Sequence, residues 1–422
     1  MPRYHAHTLG CKLNQADTAV AEGLLRAHGW EPVADPAAAD LVILNTCTVT
    51  SRADAEARRL ARKFRRDNPG ARLVALGCYA ERDAEALARL GVFDAIVGHR
   101  DRESRLAEAL LGHPPRVPWT ALPAFADRTR AWLRVQEGCD LACTYCAVRL
   151  VRGPSRSVPV EEILRRLGEL AARGVREVGL TGVNTGDWGR DLDPPRQLAD
   201  LLAAILDRDL PLRVRLNSLE PRTVTPRLLA MMAAEPGRLV PHLQVPLQSG
   251  SDRVLAAMGR NYRTSLYREV IERAAATVPD ICLGADVITG FPGETDADHR
   301  ETVEFLESLP LAYLHVFSFS PRPGTRAAAL PGRVRPDLVR ERTTRLRELA
   351  AGMRRRFRER MVGRTLEVLS LHARAEDGST RALTGNYIEV LVPGLPAGRV
   401  LPVRLLSLLP DGERMRGAPA AA

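Results

Sequence analysis

Lysine is nearly absent. Lys12 and Lys63 are the only two in 422 residues, although Lys and Arg together number 61 against 51 acidic residues. The net charge of +10 is therefore carried by arginine, whose planar fork suits phosphate and carboxylate recognition. That balance permits a polyanionic partner such as RNA without establishing one. Long apolar runs are missing too: none approaches the roughly 18 residues of a membrane span, so no membrane partner is expected. The start, Met1-Pro2-Arg3-Tyr4-His5, lacks a signal peptide's charged-then-apolar order. A cytoplasmic protein is expected, with its seven cysteines outside disulfides. The 45% of hydrophobic residues suffices for real cores, in two to four domains at about 150 residues each.

Three of the cysteines fall within eight positions, in Glu137-Gly138-Cys139-Asp140-Leu141-Ala142-Cys143-Thr144-Tyr145-Cys146. No fourth ligand lies nearby. A closed zinc site wants four ligands, and a cubane iron–sulfur cluster is also held by four thiolates. Three thiolates on a cluster leave one iron open, and an open iron is where a substrate binds. A zinc knuckle with a remote ligand is the alternative. The C-x3-C-x2-C spacing, with Tyr145 before the last cysteine, resembles the radical S-adenosylmethionine (AdoMet) superfamily. There the open iron is chelated by the amino and carboxylate groups of AdoMet.

Residues 1–111 repeat a unit of apolar run, cysteine and helix. Tyr4 to Leu9 leads to Gly10-Cys11, Leu41 to Leu44 leads to Asn45-Thr46-Cys47, and Leu73 to Leu76 leads to Gly77-Cys78. A fourth run, Ala95 to Val97, precedes one more helix. Short continuous apolar runs alternating with helices predict a doubly wound parallel α/β sheet. Ligands in such sheets bind at the carboxyl ends of strands, where all three cysteines fall. A second three-thiolate cluster is the reading this favours; three unrelated buried cysteines are the alternative.

Prolines 114, 115, 118 and 123, without periodicity, mark 112–130 as a linker. From 131 to 360, six strands near 132–136, 177–181, 212–217, 239–245, 281–288 and 313–319 alternate with helices. These predict a partial (β/α)6 barrel with its site at the strand carboxyl ends. A long arginine-rich helix over 335–360 closes this segment, its charges either a solvated face or an RNA contact. Short strands over 361–415 predict a small β-barrel, and 416–422 reads as a disordered tail.

The segments Thr8-Leu9-Gly10-Cys11-Lys12-Leu13-Asn14-Gln15, Asn45-Thr46-Cys47-Thr48-Val49-Thr50 and Gly77-Cys78-Tyr79, followed by Cys139, Cys143 and Cys146, resemble the methylthiotransferases. The resemblance spans almost the whole chain. It implies a radical AdoMet barrel, a C-terminal TRAM-like domain that binds RNA, and two [4Fe-4S] clusters. Cys11, Cys47 and Cys78 would hold the auxiliary cluster, whose sulfur is methylated by a first AdoMet. Cys139, Cys143 and Cys146 would hold the cluster that cleaves a second AdoMet to a 5′-deoxyadenosyl radical. It also implies an external electron donor and a sulfur donor. Of three branches, Cys47-Thr48-Val49-Thr50 and Leu216-Asn217-Ser218-Leu219-Glu220-Pro221 look like the one acting on threonylcarbamoyladenosine at position 37 of tRNA, beside the anticodon. Asn217 stands where that branch would carry a second serine. The other branches act on isopentenyladenosine of tRNA and on an aspartate of a ribosomal protein. A non-catalytic iron–sulfur RNA-binding protein is the alternative class, and it leaves the polar strand ends unused.

Those ends supply the remaining candidates. Tyr145, Gly182, Asn184, Ser218, Glu220, Gln244 and Gln248 are expected to hold AdoMet, with Glu220 accepting from its ammonium or ribose. Glycine at 182 would let backbone approach the ligand. Asp286 and Arg322 are expected at the substrate, Arg322 on a phosphate or carboxylate. Cys282 lies four residues before Asp286, about 13 Å along a strand, and is expected to serve packing.

Overall fold

The computed structural model describes residues 1–100, 102–113 and 129–420. β1 (Arg3–Thr8), β2 (Glu31–Pro32), β3 (Leu41–Thr46), β4 (Arg72–Gly77) and β5 (Ala95–Val97) form one sheet in the order β2-β1-β3-β4-β5. Every pairing in it is parallel. All six residues of β3 are buried, as a strand covered on both faces requires. Leu24, Leu25, Leu106 and Leu110 cover one face from the helices Lys12–Ala27 and Arg102–Leu111. Leu60, Phe64 and Tyr79 cover the other, from Ser51–Asp67 and Cys78–Arg82. The doubly wound expectation holds. The sequence carries no sign of β2, whose two residues are both exposed. The strand order reverses between β1 and β3, the switch point at which such sheets bind ligands.

The central arc starts at β6 (Arg130–Arg134) and a short ribbon, β7 (Gln136–Glu137) with β8 (Arg156–Ser157). β9 (Glu177–Thr181) lies between β6 and β10 (Arg213–Leu216), and β12 (Cys282–Thr289) between β11 (His242–Gln244) and β13 (Tyr313–Ser318). A parallel bridge from Val214 to Leu239 joins the two halves into an open arc of six parallel strands. This is the expected partial barrel. The helix Pro336–Arg360 buries Leu346, Ala350, Met353 and Phe357 and leaves Arg355 and Arg356 exposed. The linker expected over 112–130 falls mostly on 114–128, outside the described residues. Among the described residues no helix is long and apolar enough to cross a membrane.

Five strands, β14 (Thr365–Arg374), β15 (Thr380–Thr384), β16 (Glu389–Val392), β17 (Val400–Leu408) and β18 (Arg414–Pro419), close a barrel in the order β14-β15-β16-β18-β17. The expectation of a disordered tail from 416 is corrected by β18. Met415 is fully buried, and Gly417 lies where a Cβ would sit 2.6 Å from Val403 and 2.7 Å from Val390. Without this strand β16 and β17 would have open edges.

This small barrel docks on the amino ends of the central strands. Arg213 donates to the carbonyl of Leu383 and Arg215 to that of Gly385, each at 2.9 Å. Both guanidiniums also hold Glu177, which is 1% exposed. Burial alone would raise the Glu177 carboxyl; Arg215, Arg213 and Arg130 together hold it well below its ordinary value. The stability it contributes is thus present above the ordinary carboxylate pKa and lost as pH falls below it. Replacing Glu177 with Leu strands buried guanidinium charge. It is expected to cost about 3–5 kcal/mol, read as a lower thermal midpoint. Cys282 packs here with Phe357 and Met361, far from the other cysteines, as expected.

Candidate active site

Two glycines turn strands into helices and let three distant cysteines meet. Gly10 and Gly77 hold φ of 96° and 95°, a region that favours glycine. A Cβ at Gly10 would lie 2.7 Å from Cys47 Cβ, and one at Gly77 would lie 2.2 Å from Asn45 Oδ1. Cys11 thus caps one helix and Cys78 opens another, at the ends of β1 and β4. Cys47 follows β3 between them. The asparagines of the same segments lock the strand ends. Asn14 Nδ2 donates to the carbonyls of Leu9 (2.8 Å) and Thr46 (3.0 Å), and Asn45 Nδ2 to that of Asn14 (2.8 Å).

The second trio rides on the loop after β7. Gly138, at φ 72°, presses against the backbone of Gly153 and Pro154. Thr144 N–H and Oγ1 donate to the carbonyls of Met258 (2.8 Å) and Ala257 (2.9 Å), and Ala327 N–H to that of Thr144 (2.8 Å). Gln136, fully buried, donates to the carbonyls of Glu137 (3.0 Å) and Gly138 (2.7 Å) and accepts from Asn184 N–H (3.0 Å). Arg260 Nη1 donates to Cys143 Sγ at 3.1 Å while Nη2 pairs with Glu220. Arg260 and Gln136 are invisible to motif reading, since one arginine among dozens and one buried amide carry no local signal.

Burial pushes the thiols of Cys78 and Cys139 up to about 12 and that of Cys146 to about 11. They become ligands when a cation draws off the proton. Among the described residues neither trio brings all three sulfurs within 4.8 Å of one another. Thiolates on one tetrahedral zinc would lie roughly 3.8 Å apart. The donor set, three thiols in each trio, fits a thiolate-held cluster.

One cavity of about 250 Å³ joins the two trios. Cys78 of one trio and Cys146 of the other both line it, together with Tyr145, Gln248, Asp286 and Phe319. Gln248 and Ser218 are non-glycine residues at positive φ, 75° and 57°, strain of the kind that collects at ligand sites. Asp286 accepts from Gln244 Nε2 (2.7 Å) and stands 3.2 Å from His315 Nδ1. Asn184 is buried, and its Oδ1 has no hydrogen-bond partner. It lines a neighbouring cavity with Glu220. His315 sits on the same face of β13 as Phe317, and strand alternation was the signal that reaches it.

The expectation for Arg322 is corrected, and Gly182 has a close contact of its own within the protein. Gly182 makes its close approach to Gln136, whose Oε1 would lie 2.6 Å from a Cβ there, so the missing side chain accommodates the protein's own core. Arg322 is 3% exposed. It pairs with Asp54 and donates to Ser51 Oγ (2.9 Å) and Thr48 Oγ1 (3.1 Å). Its charge is neutralised across the domain junction and no free fork faces a substrate. Lys12 ties the same junction, donating to Asn217 Oδ1 at 2.8 Å and lying 5.0 Å above the Trp132 ring. Burial, with Arg215 and Arg130 nearby, pushes its ammonium down to about 8.

A thiolate triad at the mouth of an open parallel barrel is the arrangement of the radical SAM superfamily, whose model matches residues 133–306. The uncharacterized protein family UPF0004 matches residues 3–98, the sheet that carries the other triad. The threonylcarbamoyladenosine tRNA methylthiotransferase MtaB of Thermotoga maritima is 34% identical over 98% of this chain and 96% of its own. The tRNA-2-methylthio-N(6)-dimethylallyladenosine synthase of Sphingopyxis alaskensis is also 34% identical, over 97% and 96%. The chain belongs to the radical AdoMet methylthiotransferases, enzymes that use [4Fe-4S] clusters and AdoMet. The fold also matches the radical S-adenosylmethionine methyltransferase TsrM of Kitasatospora setae, with a TM-score of 0.56 at 15% identity over 78% of this chain and 74% of that one.

Proposed function

We propose that this enzyme adds a methylthio group to C2 of N6-threonylcarbamoyladenosine at position 37 of tRNA. The observation that carries the reading is the shared cavity, walled by Cys78 of one triad and Cys146 of the other. A sulfur source and a radical source must act on one carbon in succession, and a single space lined by both triads provides for that. Cys11, Cys47 and Cys78 would hold one cluster, and Cys139, Cys143 and Cys146 the other. When bound, the clusters supply the transferred sulfur and the one-electron cleavage of AdoMet.

The chain's own groups bind and orient. Glu220 keeps Oε1 for the AdoMet ammonium or ribose while Oε2 is held by Arg260. Asn184 Oδ1 offers an unmatched acceptor. Tyr145, Ser218 and Gln248 frame the same strand ends, and Gln244 with Asp286 would meet the substrate base. Phe317 and Phe319 give the cavity an apolar wall. RNA is the substrate class that a +10 chain favours.

The threonylcarbamoyl branch is supported by the Cys47-Thr48-Val49-Thr50 and Ser218-Leu219-Glu220 segments and by the MtaB relatives. Relatives of equal identity bear the dimethylallyladenosine name, so one experiment reads both. Nucleosides from tRNA of cells with and without the gene are compared by mass spectrometry. The methylthiolated threonylcarbamoyladenosine is expected to vanish and its unmodified parent to accumulate. Loss of the methylthiolated isopentenyl nucleoside instead would move the enzyme to the other tRNA branch.

A further inference from the structure

The sulfurs of the two triads are met by different hydrogen-bond donors. Cys143 receives the charged guanidinium of Arg260. At the other triad, Arg152 also acts on Cys78, and a neutral donor joins it: His99 Nε2 lies 3.4 Å from Cys78 Sγ, with the residue only 8% exposed. The geometry points to His99 as a positioning residue for the centre on Cys11, Cys47 and Cys78, its Nε2–H donating to Cys78 Sγ and making that centre easier to reduce. This rests on the two-cluster reading above.

The direction of the bond follows from the other ring nitrogen. Nδ1 lies 3.4 Å from Arg102 Nη1 and 4.0 Å from Glu137 Oε1. The carboxylate is too distant to take a proton from it. A guanidinium only donates, so Nδ1 must accept, and a neutral imidazole then carries its hydrogen on Nε2. Arg102 is not free to turn away. It is 2.8 Å from Asp17 and 3.0 Å from Glu137, two carboxylates also held by Arg134 and Arg152. Three arginines and two acids thus fix one tautomer of one histidine, the way outer partners orient a metal site. The turn that delivers His99 is equally constrained: a Cβ on Gly98 would sit 2.2 Å from Glu81 Oε2. Cys78 Sγ also stands 3.7 Å from Asn14 Oδ1, an acceptor for a thiol proton and no donor to a ligated sulfur. His99 accordingly adds a fixed N–H to the sulfur, and hydrogen bonds to cluster sulfurs set the reduction potential.

The test uses the full chain with Cys139, Cys143 and Cys146 all replaced by alanine, reconstituted anaerobically, so that one centre is read alone. In an EPR-monitored redox titration, His99→Leu is expected to weaken one-electron reduction about tenfold, a shift of about 59 mV to lower potential. His99→Gln, which keeps an N–H, is expected to recover most of it. An unmoved potential in His99→Leu, or equal shifts in both variants, would overturn the assignment. Protein with an unsubstituted His99, labelled with 15N-histidine, needs no variant to fold: its reduced centre is expected to show coupling to a histidine nitrogen, and absence of coupling overturns the assignment equally. About four irons in this background establish the centre. Their absence sinks the two-cluster reading and this inference with it, whereas four irons with an unmoved potential sink the inference alone.

Discussion

Alanine at Cys139, Cys143 and Cys146 together is expected to abolish 5′-deoxyadenosine formation from AdoMet and to lower bound iron from about eight atoms to about four. The effect is total because no other group on the barrel's carboxyl face duplicates these thiols; Cys282 packs at the opposite end with Phe357. It is also expected to be confined to the centre. The loop's path is set mainly by backbone and hydroxyl contacts from Thr144 to Met258 and Ala257 and by Gln136 beneath it; Val148 N–H, 3.4 Å from Cys146 Sγ, is the backbone donor that loses its acceptor. Arg260 loses a sulfur acceptor but keeps Glu220. The thermal midpoint should therefore stay near that of the parent protein prepared without iron. A large fall would mean that the cysteines shape the loop, and iron loss would then no longer report ligation.

Why the cysteines were readable and their surroundings were not follows from the range of each interaction. Cys139, Cys143 and Cys146 share one short loop, so their convergence is written in spacing. Cys11, Cys47 and Cys78 converge through a parallel sheet, and the sheet is legible because buried strands such as Leu41–Thr46 are continuously apolar. Ends are weaker signals. β18 reads as a tail because Arg414 and Arg416 point outward and only Met415 and Gly417 face the core. Arg322 at a strand end promised a ligand site, yet its partner is Asp54, 268 residues earlier. His99 and Arg260 reach their sulfurs from 21 and 117 residues away. A charge whose partner lies in another domain leaves no local pattern. Asn217, which departs from the expected serine, likewise has a distant partner, Lys12 across the junction.

The complementary substitution, alanine at Cys11, Cys47 and Cys78, is expected to separate two activities. Iron should again fall by about half, to about four atoms, and 5′-deoxyadenosine should still form, because the other triad and its Arg260–Glu220 support are untouched. The methylthiolated nucleoside should disappear entirely, since the sulfur-bearing side of the shared cavity is gone while the radical side remains. Two of these sulfurs are buried, so their removal leaves His99 and the Asn14 amide facing an emptied position, and a lower thermal midpoint accompanies the chemical effect. The ratio of 5′-deoxyadenosine to methylthiolated product is therefore the informative quantity, being insensitive to how much enzyme survives. If both vanish together at full protein recovery, the two triads do not act as separate centres. If the product persists, its sulfur comes from somewhere other than the edge of the β1-β3-β4 sheet.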